Sequence, residues 1–178
     1  MTYVALLRGI NLGARNKVSM ADLRKLFVTL GAEDVRTYVQ SGNVVFKGPV
    51  GSPAELVQAI EERITRELGL SVAVLLRTKA ELAKILGTNP FAKGARDAAK
   101  LHVTFLAEAP DPARVRQLEA KQFEPDEFRV AGAEIYLHCP DGYGRTKLSN
   151  AYLEKQLGIR ATTRNWKTVT KLAELASA

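Results

Sequence analysis

Three polar stretches carry the side chains best suited to chemistry: Arg8-Gly9-Ile10-Asn11, Thr37-Tyr38-Val39-Gln40-Ser41-Gly42-Asn43 and Thr163-Arg164-Asn165-Trp166. An Arg guanidinium grips an oxyanion through two parallel N–H groups, and Asn and Ser add neutral donors beside it. The third stretch opens the last predicted helix, where exposed amides and the helix dipole attract negative charge. The candidate ligand set is therefore Arg8, Asn11, Ser41 and Asn43, with Arg164, Asn165 and Thr168. A fourth stretch, Asp141-Gly142-Tyr143-Gly144-Arg145-Thr146-Lys147, adds Arg145 and Lys147. It is a phosphate-cradling loop in type only, because it lacks the Gly-x4-Gly-Lys-Ser/Thr spacing. Each stretch has a plainer explanation: Asn, Ser and Gly build turns, and Thr163 or Asn165 caps a helix.

Other chemistries fit poorly. Ser41 lacks the Gly-x-Ser-x-Gly elbow of an activated serine, and no Ser-x-x-Lys accompanies Ser41-Gly42-Asn43. His102 and His138 are expected on one face of a sheet, with Cys139 pointing away, which is too few ligands for structural zinc. The third strand reads Val44-Val45-Phe46, without the aromatic triplets of an RNA-recognition sheet. No metal, cofactor or covalent intermediate is expected.

The chain has 178 residues, 46% hydrophobic and 25% charged, enough for one sizeable core or two small ones. One cysteine excludes an internal disulfide. No apolar run approaches the roughly 18 residues of a membrane span, and the N-terminus reads as a strand rather than a signal peptide, so a cytoplasmic protein without a membrane partner is expected. The net charge of +7 is unevenly placed. Between Tyr143 and Ala173, seven basic residues face only Glu154, a net +6. Residues 1 to 21 add Arg8, Arg15 and Lys17 with no acid. Such asymmetry suits a solvated face or an anionic partner, either a small molecule or nucleic acid.

The elements that must position these residues follow from periodicity. Tyr3–Leu7 is an apolar run, as in a strand buried on both faces. Ser19 starts a helix with Leu23, Leu26, Phe27 and Leu30 on one stripe, stopped by Gly31. Val35–Val39 and Val44–Phe46 are strands joined around Ser41-Gly42. Ser52-Pro53 starts a helix with Leu56, Ile60, Ile64 and Leu68 inward, and Gly69 stops it. Leu70–Leu76 is again strand-like. The order β-α-β-β-α-β is that of the ferredoxin-like split βαβ unit.

After a short helix capped by Thr78 and a loop with Asn89-Pro90, the order partly recurs. Leu101–Leu106 is a strand, Asp111-Pro112 opens a helix, and Phe128–Val130 and Ile135–Leu137 form a hairpin turning at Ala131-Gly132. Leu148–Leu157 is a helix. A fourth strand is not evident, and a helix from about Asn165 to Ala176 takes its place. The expected fold class is α+β: two ferredoxin-like subdomains, the second lacking its last strand and ending in helices. Residues 1–77 form the first subdomain, 78–100 a helix and linker, and 101–178 the second, possible as one compact unit if the second half covers the first sheet.

The stretches Arg8-Gly9-Ile10-Asn11, Thr37 to Phe46 and Thr163-Arg164-Asn165-Trp166-Lys167-Thr168-Val169, with Asn89-Pro90-Phe91, together resemble a bacterial family catalogued as domain of unknown function 1697. The resemblance covers nearly the whole chain and implies two α+β, ferredoxin-like subdomains. It implies no activity and no catalytic residues.

In a split βαβ sheet the third strand lies beside the first, so Arg8 and Asn11 should meet Ser41, Gly42 and Asn43. Arg8, Asn11, Ser41 and Asn43 are expected to converge with Arg164, Asn165 and one of Arg145 or Lys147 in a basic cleft between the halves, which binds a phosphate-bearing or nucleotide-like anion or nucleic acid. An enzyme using the same cluster on a small anionic substrate is the alternative, and a structural or protein-interaction module is a third.

Overall fold

The computed structural model describes residues 1–48 and 52–178. Two compact units emerge, one made of Met1–Ala83 with Lys171–Ala178 and the other of Lys84–Thr170.

The first unit holds β1 (Thr2–Leu7), α1 (Met20–Thr29), β2 (Glu33–Tyr38), β3 (Asn43–Lys47), α2 (Pro53–Leu68) and β4 (Val74–Thr78). Its sheet runs β2-β3-β1-β4, and every neighbouring pair is antiparallel. Local chemistry sets the helix limits. Ser19 Oγ accepts the Asp22 N–H at the start of α1, and Ser52 Oγ does the same for Glu55 at α2, filling donors that a helix leaves open. Gly69 ends α2 in the left-handed conformation at φ 67°. Tyr3, Ala5, Leu7, Val44 and Phe46 pack with Leu23, Leu26, Phe27, Ile60 and Ile64 as the core under the two helices. The Phe27 and Phe46 rings meet edge to face at 5.1 Å. The other sheet face is buried too, at Val4, Leu6, Val45 and Leu75, as an unalternating apolar strand requires.

Several strand limits differ from the sequence reading by one to four residues, and two of these shifts have a local cause. β4 starts at Val74 rather than Leu70, because its partner β1 ends at Leu7, opposite Val74. β2 stops at Tyr38 because Val39 turns to φ +51° and leaves the ladder.

From Lys79 to Thr88 runs α3, started by a capping box in which Thr78 Oγ1 accepts the Glu81 N–H and Glu81 Oε2 accepts the Thr78 N–H. The second unit then repeats the order with β5 (Leu101–Leu106), α4 (Pro112–Glu119), β6 (Glu127–Ala131), β7 (Glu134–His138), α5 (Asn150–Leu157) and β8 (Ala161–Asn165); α6 (Trp166–Ser177) begins in this unit, and from Lys171 on its residues belong to the first. Its antiparallel sheet runs β6-β7-β5-β8.

The expectation that the second half lacks its last strand is therefore wrong. β8 pairs with β5 from His102↔Asn165 to Leu106↔Ala161. Its sequence, Ala-Thr-Thr-Arg-Asn, has little apolar signal, but Thr is a good strand former and the edge position tolerates polarity. α6 consequently begins at Trp166, and Asn165 belongs to the strand before it. Leu106, Ile135, Leu137, Cys139, Leu148, Leu153 and Leu157 form this unit's core under α4 and α5.

Phe27 has no exposed surface and meets Phe46. Phe27→Ala is expected to cost about 3–5 kcal/mol, read as a lowered midpoint in urea denaturation with an unchanged m-value.

Candidate functional site

Four of the candidate residues meet at one end of the first sheet. Leu6 lies opposite Asn43 in the ladder, and Leu7 N–H donates to Gly42 O at 2.9 Å. Beyond β1 the chain closes a small hairpin on itself. Asn11 N–H bonds Asn16 O at 3.0 Å, and Arg15 N–H bonds Leu12 O at 3.1 Å around Gly13-Ala14. Asn11 and Asn16 sit at φ +54° and +50°, a region that Asn enters more readily than most residues.

The Asn11 side chain ties this hairpin down on both sides. Its Nδ2 donates to Gln40 O at 2.7 Å and to Val18 O at 3.0 Å, while its Oδ1 accepts Val18 N–H at 2.8 Å. Asn16 Nδ2 adds a bond to Gly9 O at 3.1 Å. Asn43 is fully buried, and its Nδ2 donates to Tyr38 O and to Ser41 Oγ, each at 2.9 Å. Gly42, at φ +86°, lies so close to the loop that a Cβ there would stand 2.7 Å from Ile10 Cδ1 and 2.9 Å from Leu7 Cβ. The neighbourhood read from topology exists, but Asn11 and Asn43 are building material in it.

What this base presents to solvent is different. Arg15 and Lys17 are exposed and make no ion pair among the described residues. Leu12 is 66% and Val39 47% exposed, two of the four exposed large hydrophobic residues described. Val39 is a β-branched residue in the left-handed region, a strained arrangement that a rigid surround must hold. None of these four was singled out as a site residue from sequence. The usable signals were the Asn11 and Asn16 pair around Gly13 and the lack of acids before Asp22.

The remaining five candidates lie in the second unit. Arg164 is 8% exposed on β8, and its Nη1 donates to Thr162 Oγ1 at 2.8 Å and Thr163 O at 3.0 Å. Burial pushes its guanidinium down to about 10, opposed by Tyr143. Asn165 Oδ1 accepts the N–H of buried Thr168 at 2.8 Å, capping α6. Arg145 and Lys147, both exposed, line a cavity of about 120 Å³ with Glu124, Asp126 and Asp141. Three carboxylates against two cations make this lining a poor phosphate cradle. Asp126 Oδ2 already accepts the Thr146 hydroxyl at 2.7 Å.

The two histidines are not on one face, contrary to expectation. Leu101 pairs with His138, and His102 with Leu137, so the one-residue offset sends the rings to opposite sides. His102 stacks on Tyr143 at 4.8 Å, and burial holds its pKa below the ordinary value. His138 Nδ1 meets Glu127 Oε1 at 2.9 Å. Glu127 also takes Arg96 Nη2 on both oxygens at 3.3 Å, and these partners lower its pKa, His138 most. Cys139 is buried, with its thiol pushed up to about 11 by desolvation, so it is a poor nucleophile. Among the described residues no His, Cys, Asp and Glu cluster fits a metal ion, and no helix is long and apolar enough to cross a membrane.

The profile of a family described as "Protein of unknown function (DUF1697)" matches residues 1–136. A solved structure titled as that of conserved bacterial protein SP0830 from Streptococcus pneumoniae is 28% identical, covers 98% of each chain and superposes with a TM-score of 0.77. No curated protein matches the chain.

Asn43→Ala is expected to destabilise the fold by about 1–3 kcal/mol, since it removes from a fully buried position the amide that bonds Tyr38 O and Ser41 Oγ. Gly42→Ala should cost a similar or larger amount through the clash with Ile10 and Leu7. Val39→Gly should instead stabilise by about 0.5–1 kcal/mol by relieving the left-handed strain. Chemical denaturation reads all three. For His102, a lowered folded pKa means that its contribution is present above the unfolded value of about 6.5 and is lost as pH falls through the folded one. His102→Gln should therefore flatten the decline in stability between about pH 7 and 5.

Proposed function

We propose a function for a chain that belongs to the family catalogued as domain of unknown function 1697: it binds a phosphate-bearing polyanion, nucleic acid above all, through the loop and turn at the end of its first sheet. One observation carries this reading. Asn11 fastens a cation-bearing hairpin, acid-free in sequence up to Asp22, to the β2–β3 turn with bonds on both sides. A rigid base lowers the ordering cost of recognition, and unpaired surface cations favour phosphate by releasing its counterions. Arg8, half-buried, stands where β1 leads into this loop. Arg145 and Lys147 form a second basic loop whose neighbouring carboxylates make it the weaker contributor.

Each half is best read as ferredoxin-like, since fourth-first-third-second strand order with two crossover helices is that unit's pattern. A cytoplasmic location accords with a single buried thiol.

A second reading, an enzyme acting on a small anionic substrate, is favoured by His138. A carboxylate on Nδ1 fixes the ring and leaves Nε2 as the working nitrogen of a general base. If so, phosphate-ester turnover by the purified protein should vanish in His138→Gln. Equal turnover in both proteins would remove this reading.

The binding test is a salt titration. Arg15→Glu/Lys17→Glu should lower the slope of log K against log salt by about 2 and weaken binding to nucleic acid at low ionic strength. Lys79→Glu/Lys84→Glu on α3 should change affinity far less. Equal loss in both double variants would reduce the effect to net charge and reject the assigned surface.

A further inference from the structure

We infer that Leu12 and Val39 form an apolar wedge beside the phosphate-binding cations, and that the polyanion this surface takes is duplex DNA entered through its minor groove. This rests on the polyanion reading above and narrows it.

Simple phosphate binding explains Arg15 and Lys17 but gives no role to two exposed aliphatic side chains at the same place. Leu12 stands at the base of the hairpin turn, opposite Arg15. Val39 stands next to Gln40, whose carbonyl Asn11 holds at 2.7 Å. The same asparagine therefore ties together the two backbone segments that carry these residues. Val39 also keeps a backbone conformation that Gly or Asn would adopt at less expense. A β-branched residue held there and left 47% exposed is unfavourable for the free protein.

The chemistry of the pair selects among polyanions. Single strands are held by aromatic platforms on which bases stack, and no aromatic is among the exposed large hydrophobics described. Aliphatic side chains serve in another way. Proteins that read the minor groove push Leu, Ile or similar wedges between base steps, kink the duplex and hold its phosphates with Arg and Lys. A stiff mount is needed, because unstacking a base step costs a few kcal/mol and a mobile loop would yield first. An anionic bilayer also accepts aliphatic tips flanked by cations, but two small side chains bury little area there, so duplex DNA is the favoured occupant.

The experiment measures anisotropy of a labelled duplex and of one of its single strands, together with end-to-end energy transfer in a doubly labelled duplex. The proteins are the parent chain, Leu12→Ser/Val39→Asn and Arg15→Glu/Lys17→Glu. The expected results are preference for the duplex, bending of it, and a loss of about tenfold in the aliphatic variant, with its salt slope unchanged and bending abolished. The charge variant should lose slope and affinity for both forms. Asn tolerates the left-handed position, so the aliphatic variant should melt no lower than the parent, and that measurement accompanies the binding. Equal binding of both forms, unaffected by the aliphatic variant but lost in the charge variant, overturns the wedge and leaves the polyanion reading standing. No binding of either form overturns both. Binding to phosphatidylserine vesicles that is lost in the aliphatic variant, without duplex binding, overturns the DNA assignment in favour of a lipid surface.

Discussion

At Gly42 the chain passes so near Ile10 and Leu7 that one added carbon would collide with both. The end of the central strand β1, the start of β3 and the loop leaving β1 all meet there. Leu7 N–H closes the ladder onto Gly42 O, and Ile10 is buried at 2% exposure. Because the contact is steric rather than ionic, it is insensitive to salt and pH. It fixes the hairpin's root before any hydrogen bond of Asn11 adds to it. The left-handed φ at Gly42 and the missing side chain serve the same junction, so two independent constraints select glycine at that position.

On that junction rests a division of labour among polar side chains. Asn11, Asn43 and Asn165 looked like ligand donors because their amides can serve an anion. The same amides are the best available partners for backbone groups that loops leave without a ladder, and here they are used so. Burying a backbone carbonyl without a partner costs more than a solvent-facing amide gains from a ligand. Arg164 follows the same logic: buried on the edge strand β8, it bonds Thr162 and Thr163. Arg15 and Lys17 are instead exposed and make no ion pair among the described residues, which is why the proposed binding is assigned to them.

What could be read from the sequence follows this division. The caps at Ser19, Ser52, Thr78 and Asp111 were legible because each is a local pattern of a few residues. The meeting of Arg8 and Asn11 with Ser41 and Asn43 was legible because strand order alone implies it. β8 was missed because Thr-Thr-Arg carries no apolar alternation, and its strand character comes from pairing with β5. The opposite facing of His102 and His138 depends on a one-residue register that no local signal sets. The left-handed Val39 was illegible for a related reason: its conformation is imposed by the turn around it, against its own preference.

Comparing the two halves separates scaffold from specialisation. Their sheets share one strand order, and each fourth strand carries a buried Arg whose Nη1 bonds the preceding carbonyl: Arg77 on Leu76 O and Arg164 on Thr163 O. In each, the next residue, Thr78 or Asn165, caps the following helix. These matched features belong to the architecture, since a shared device cannot explain what one half does alone. The connections differ. From β1 to α1 the chain takes twelve residues, Arg8–Ser19, containing Arg8, Arg15, Lys17 and no acid; from β5 to α4 it takes five, Ala107–Asp111, containing Glu108 and Asp111 and no cation. The hairpin β6–β7 turns through Gly132 and Ala133 alone, whereas β2–β3 spends four residues, Val39–Gly42, with two of them left-handed. Both enlarged connections arise where β1 ends and β3 begins, on one side of one sheet. A long loop orders more backbone than a short one and gains nothing for the core. Under the proposed function, the return on that ordering is what the two connections display: Arg15, Lys17 and Leu12 from the loop and Val39 from the β2–β3 turn.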